Sequence, residues 1–253
     1  MSLAVRSSFL VLLVFGFTTS SIGVAVGQVP SQPGADQSGA QDCGNEPVRG
    51  QPLSLFNGTS LEGWETLAGT KPKNWSVVDG AISWKSKGGD LYHQQWFRDF
   101  ELSFQWKLNA NGNSGVKYRV QRYGKRSLGC EYQIQDDKNN LFGKTSTGAL
   151  YAVFEPDKKK VINPLGQWND AKIVVCGNRV EHWVNGIKVV EATIGSPDWH
   201  TRIAKSKFSK HEQFGLNREG RIFLQDHGKP VWFRKIIVTP LDCDQAAATE
   251  SAN

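Results

Sequence analysis

The sequence predicts an all-β fold, a β-sandwich or jelly roll of antiparallel strands carrying one short helix or lid loop. Three observations lead there. Short runs alternate apolar and polar residues at period two, Gly, Asn and Asp punctuate them, and helical periodicity is nearly absent. The 253 residues are 39% hydrophobic and include nine Trp and 26 Gly, enough to fill a sizeable core and far from a disordered composition.

Taken in chain order, Phe100 to Leu108 sets Leu102, Phe104, Trp106 and Leu108 against Glu101, Ser103, Gln105 and Lys107. Gly115 to Arg122 sets Val116, Tyr118 and Val120 against Lys117, Arg119 and Gln121. Glu131 to Gln135 sets Tyr132 and Ile134 against Glu131, Gln133 and Gln135. Val180–Val184 and Ile187–Glu191 flank Asn185-Gly186, a pair suited to a type I′ hairpin turn because both positions need positive φ. Gly220 to Gln225 and Val231 to Pro240 supply further strands. The one helical signal is Asp198 to Phe208, with Asp198 as cap and Trp199, Ile203 and Ser206 on one side.

The ends of the chain read differently. Residues 1–27 combine Arg6, an apolar run from Phe9 to Phe17 and a small-residue site at Ala25-Val26-Gly27, the pattern of an export signal. The run is too short to cross a bilayer comfortably, so no stable membrane insertion is expected after cleavage. Residues 28–51 are expected to be a disordered linker, 52–241 the folded domain, and 242–253 a disordered tail of small, polar residues. A periplasmic or extracellular location suits the four cysteines. A Cys43–Cys243 bridge would tie the domain's ends together, leaving Cys130 and Cys176 as buried thiols. The formal charge of +6 is spread in ones and twos, which argues against a nucleic-acid partner. Oligomeric state is left open.

Among motifs, GKT at 143–145 fails as a phosphate loop because Lys138 stands where the first Gly is needed. Asn57-Gly58-Thr59 and Asn74-Trp75-Ser76 match the glycosylation sequon, which matters only in a eukaryotic secretory pathway. If the strands holding Lys117 and Glu131 pair, one wet face carries Lys117, Arg119, Glu131, Gln133 and Gln135, the planar polar groups that sugar recognition uses. An ordinary solvated sheet face is the competing reading. Gln225-Asp226-His227-Gly228 lies where one strand ends and the next begins, so His227 is either a general base, a metal ligand or a turn histidine held by Asp226. His182 shares a face with Val180 and Val184 and reads as structural, while His93, His200 and His211 read as surface residues.

Several segments resemble the 3-keto-disaccharide hydrolase family: LFNGTSLEGW at 55–64, NSGVKYR at 113–119, EYQIQDD at 131–137, TGALYAVFEP at 147–156, GQWND at 166–170, GNRVEHWVNGIKVVE at 177–191 and LQDHGKPVWFRKI at 224–236. They follow family order over essentially the whole domain. The resemblance implies a concanavalin A-like jelly roll acting on glycosides whose C3 hydroxyl has already become a ketone. Such a carbonyl acidifies the C2 proton, so the C1 substituent can leave by elimination and water can add afterwards. The reaction needs a base near C2, a cation at the C3 oxygen and a proton donor for the leaving group.

On residue chemistry, His227 is the candidate base, Glu131 the second acid/base group, Asp226 the residue that orients His227, and Arg119 the enolate-stabilising cation, with Lys117 behind it. Gln133 and Gln225 are candidates for sugar hydroxyls, and Tyr151 and Trp232 for the pocket border. A divalent metal ion is a possible cofactor, with His227 and Glu131 as candidate ligands. The segment Ser196 to Gly215, with Arg202, Lys205, Lys207 and Lys210, reads as a basic rim or a solvated loop. The expected partner is a 3-keto-glycoside; a non-catalytic carbohydrate-binding module and a cell-envelope scaffold are the competing readings.

Overall fold

The computed structural model of the chain describes residues 46–244. In order these form β1 (Val48–Arg49), β2 (Leu53–Ser54), β3 (Trp64–Glu65), β4 (Trp75–Val78), β5 (Ala81–Trp84), β6 (Leu91–Phe97), β7 (Phe100–Leu108), β8 (Asn113–Tyr123), β9 (Arg126–Gln135), β10 (Asn169–Cys176), β11 (Arg179–Val184), β12 (Ile187–Thr193), α1 (Pro197–Ala204), β13 (Gly220–Leu224) and β14 (Val231–Asp242).

Period-two alternation makes each strand two-faced, and two sheets hide the apolar faces against each other. The larger runs β12-β11-β10-β7-β14-β5-β4, with β1 and β2 also on β14; the smaller runs β3-β6-β13-β8-β9. This is the predicted antiparallel jelly-roll sandwich. Along β7, Phe100, Leu102, Phe104, Trp106 and Leu108 are all buried, and the residues between them are partly exposed. Across the interior, Phe104 meets Tyr132 edge-on at 5.6 Å and Phe100 meets Tyr118 at 6.3 Å. The β11–β12 turn has φ of 45° at Asn185 and 81° at Gly186, the type I′ geometry that Asn-Gly predicts.

Several expectations change. The helix starts earlier, capped by Ser196, whose side chain accepts from the Trp199 N–H; Asp198 sits in the first turn and pairs with Arg202 instead. Cys243 is bridged to Cys176, not to Cys43, because β14 carries Cys243 past the end of β10; Cys130 alone is a buried free thiol among the described residues. Residues 1–27 and Cys43 lie outside the described residues, as do most of the linker and tail. Val48 and Arg49, read as linker, pair with Asp242 and Leu241, so the sheet begins before residue 52 and ends at 242. His93 is 6% exposed and packs on Trp64, so it is no surface residue. Asn74, the second sequon asparagine, is 5% exposed with its amide bonded to the Gly89 carbonyl, closed to modification in the folded state.

Candidate active site

The outer face of the smaller sheet is set by register. Lys117 on β8 lies opposite Glu131 on β9 and beside Phe223 on β13. One step along, Gly115 lies opposite Gln133, and its carbonyl accepts from the Gln225 N–H at 2.9 Å. These two rows form the floor. Beyond β9, the segment around Tyr151 extends the sheet, since the Tyr151 N–H donates to the Glu131 carbonyl at 3.0 Å.

Glu131 is 4% exposed, and Lys117 Nζ stands 3.3 Å from its Oε2. Burial raises the Glu131 pKa, with Lys117 and then Lys207 pulling the other way. Lys117 also lies 5.1 Å from the centre of the Phe223 ring, which packs on Tyr92 to give the face an apolar flank. Its field reaches His227 as well. Partial burial and Lys117 lower the His227 pKa while Asp90 and Asp226 oppose, so the imidazole at the solvent-facing rim is neutral near pH 7. Lys207 leans in from the loop after α1, its ammonium 4.0 Å from the Tyr151 ring centre. That loop is packed rather than loose: Phe208 stacks on Phe214 at 3.7 Å, and Phe214 stacks on Trp199.

Three buried side-chain oxygens here have no hydrogen-bond partner: Oε1 of Glu131, Gln133 and Gln225. Buried polar atoms are paired almost everywhere in folded proteins, so these oxygens are free to accept from a ligand or a water.

The face therefore brings together His227, Glu131, Lys117, Gln133, Gln225 and Tyr151, and three expected residues take other places. Arg119 is 4% exposed and turned inward, because its φ of 49° creates a bulge that resets the alternation of β8. Its guanidinium donates to the carbonyls of Arg98 and Gly177 and to Asp99 Oδ1, so it fastens the sandwich end and cannot meet a sugar. Trp232 belongs to the larger sheet, opposite Lys107 and Ser83, and stands on that sheet's outer face. Asp226 does not orient His227: its carboxylate accepts from Gly88, Gly89 and Gly228 N–H and from the Trp84 indole. Burial would raise its pKa, yet those donors outweigh burial and lower it. Asp226 ties the 84–89 loop to the rim.

Asp90 was missed. Its Oδ1 accepts from the Asp226 N–H at 2.8 Å, and burial raises its pKa against that bond and against Lys117. The available signal was an acidic residue one place before the buried start of β6 at Leu91. For a divalent ion the fit is poor: no group of three or more His, Cys, Asp or Glu converges among the described residues, and an ammonium already lies against Glu131.

The family model described as 3-keto-alpha-glucoside-1,2-lyase-like domain matches residues 51–239. A 3-keto-disaccharide hydrolase of Bacteroides thetaiotaomicron is 30% identical over 227 residues, covering 75% of this chain and 78% of that protein. Two solved structures from Parabacteroides distasonis, each provisionally described as a glycosyl hydrolase, share the fold. One has a TM-score of 0.69 at 33% identity, covering 76% of this chain and 94% of its own. The other has a TM-score of 0.60 at 25% identity, covering 76% and 100%.

Proposed function

The chain belongs to the 3-keto-alpha-glucoside-1,2-lyase-like family, and on that premise we propose that it is an exported enzyme cleaving 3-keto-glycosides by β-elimination and hydration. The observation that carries the reading is one ammonium, Lys117, set 3.3 Å from the buried Glu131 carboxylate while its field also acts on the rim imidazole. An elimination needs such a trio of base, cation and acid.

Neutral His227 takes the C2 proton. The C2–H electrons become the C1=C2 double bond as the C1–O bond breaks, and the negative charge developing at the C3 oxygen falls beside Lys117. Glu131, whose pKa burial has raised, gives a proton to the departing oxygen. Water then adds across the double bond, hydroxyl to C1 and proton to C2, so the net result is hydrolysis. Two carboxylates flanking an oxocarbenium-like centre are not required by this route. Export is supported by the N-terminal apolar run and by the Cys176–Cys243 bridge, which persists in an oxidising compartment. No helix among the described residues is long and apolar enough to cross a membrane.

The test is direct. Purified protein is mixed with a 3-keto-glycoside, and release of the aglycone and enone absorbance are followed. Turnover by wild type and not by His227→Ala supports the reading; sugar binding without turnover identifies a binding module instead. Activity lost to a chelator and restored by a divalent ion would overturn the metal-free scheme.

A further inference from the structure

Gly115 stands where the sheet face would otherwise carry a side chain, and its backbone does not demand glycine, since it is not among the positive-φ residues. Space demands it. A Cβ placed there would come within 2.7 Å of Glu131 Oε1. The missing side chain leaves room for the Glu131 carboxyl over the β8 backbone, with Gln225 and Gln133 flanking Gly115 in its own row and Lys117 and Glu131 in the next. The three unpaired buried oxygens belong to residues of these two rows.

The amide of Gln133 is committed by its neighbours. Its Nε2 donates to Asn113 Oδ1 at 2.9 Å and faces Gln135 Oε1 at 3.4 Å, which leaves its oxygen as the free end. Gln133 and Gln225 therefore offer acceptors through their unpaired oxygens, and a ligand must answer with donors. Hydroxyls fit; a ketone or a carboxylate would set oxygen against oxygen. On the elimination scheme, which this inference rests on, C1, C2 and C3 face the acid, the base and the cation. The hydroxyls left on the far edge of a hexopyranose are those at C4 and C6.

We propose that the row through Gly115 reads the free 4- and 6-hydroxyls of a neutral 3-keto-hexopyranosyl unit through Gln133 and Gln225. The protein then takes small glycosides or chain ends whose O4 and O6 are unsubstituted, and it rejects uronides and residues linked internally through O4. Gly115 is the specificity-determining position, because any side chain there displaces the Glu131 carboxyl beside the two glutamines.

The probes are 3-keto-glucose, its 4-deoxy and 6-deoxy analogues and 3-keto-glucuronate, with Kd read by calorimetry and KM read with the matching phenyl glycosides. Wild type is expected to prefer the parent sugar at least tenfold over each analogue in whichever constant is measurable. Gln133→Leu and Gln225→Leu should each lose discrimination against one deoxy analogue. Gly115→Ala should weaken the parent sugar at least tenfold, because its Cβ crowds Oε1, Cγ and Cδ of Glu131 and moves that carboxyl. Discrimination under twofold, or discrimination kept in both Gln variants, overturns the inference. Turnover without discrimination leaves the elimination reading standing and this one fallen. Discrimination in binding without turnover does the reverse, and neither binding nor turnover removes both.

Discussion

Lys117 and Glu131 face each other across the β8–β9 pair, with the ammonium 3.3 Å from a carboxylate that is almost wholly out of water. A lone buried carboxylate would take up a proton, and a lone lysine on this face would be an ordinary solvated cation. Together they hold an acid with a raised pKa beside a positive charge, where an enolate oxygen can form.

Replacing Lys117 with Met should therefore do two things. The Glu131 and His227 pKa values should both rise, since Lys117 lowers each of them. A base that must be neutral then needs a higher pH, so the acid limb of the kcat/KM profile should move to higher pH. The plateau should also fall by about 10²-fold or more through loss of charge stabilisation. A profile of unchanged shape and height would remove Lys117 from the chemistry.

His227→Ala should cost about 10²–10⁴ in kcat, the usual worth of a positioned proton-transfer group. Because the residue stands at the rim and donates no side-chain bond to the fold, the urea midpoint should stay within experimental error of wild type. A variant that loses activity and stability together would return His227 to the turn-histidine reading.

Arg119 makes the opposite prediction. Its partner Asp99 also accepts from the Gly177 N–H at 2.7 Å, so removing the guanidinium leaves that carboxylate with only the exposed Arg98, 3.4 Å away, and strips two backbone carbonyls of their donor. Arg119→Ala should destabilise the protein by about 3–5 kcal/mol, read by urea denaturation. The fraction that remains folded should keep the wild-type KM.

Arg119 also marks the boundary of what the sequence could reveal. Alternation places side chains correctly for as long as the ladder is regular, and along β7 it does so for nine residues. A bulge adds one residue without altering composition, so Lys117 was placed on the right face and Arg119, two residues later, was not. The trace of the bulge lies in distant glycines: a Cβ on Gly220 would fall 2.4 Å from the Arg119 carbonyl carbon, and one on Gly129 would fall 2.7 Å from the Tyr118 oxygen. Trp232 failed for another reason. Local pattern shows that a residue is on a strand but not which sheet that strand joins. With Cys243 the limit was combinatorial, since four cysteines permit several pairings and only the path of β14 selects Cys176. Glu131 and Gln133 were legible because β8 and β9 pair in the register their alternation implies.

His182 gives the fold a pH dependence whose sign can be worked out. It is fully buried on β11, with Nδ1 donating to the Gly148 carbonyl at 3.0 Å and Nε2 accepting from the Tyr118 hydroxyl at 2.9 Å. Those bonds fasten the segment that carries Tyr151 to the opposite sheet, and both suit the neutral ring. Burial depresses its pKa to about 4, from an ordinary value of 6.5. Between those values the unfolded chain binds the proton and the folded chain does not, so stability is complete above pH 6.5 and declines as pH falls toward 4. The loss over that window is about 3 kcal/mol from this one group. Urea midpoints measured from pH 7.5 to 4 should show the decline, and His182→Gln, though less stable at neutral pH, should show a shallower one. An equal slope in both proteins would place the acid sensitivity elsewhere, with His93, also lowered to about 4 by burial, the next residue to replace.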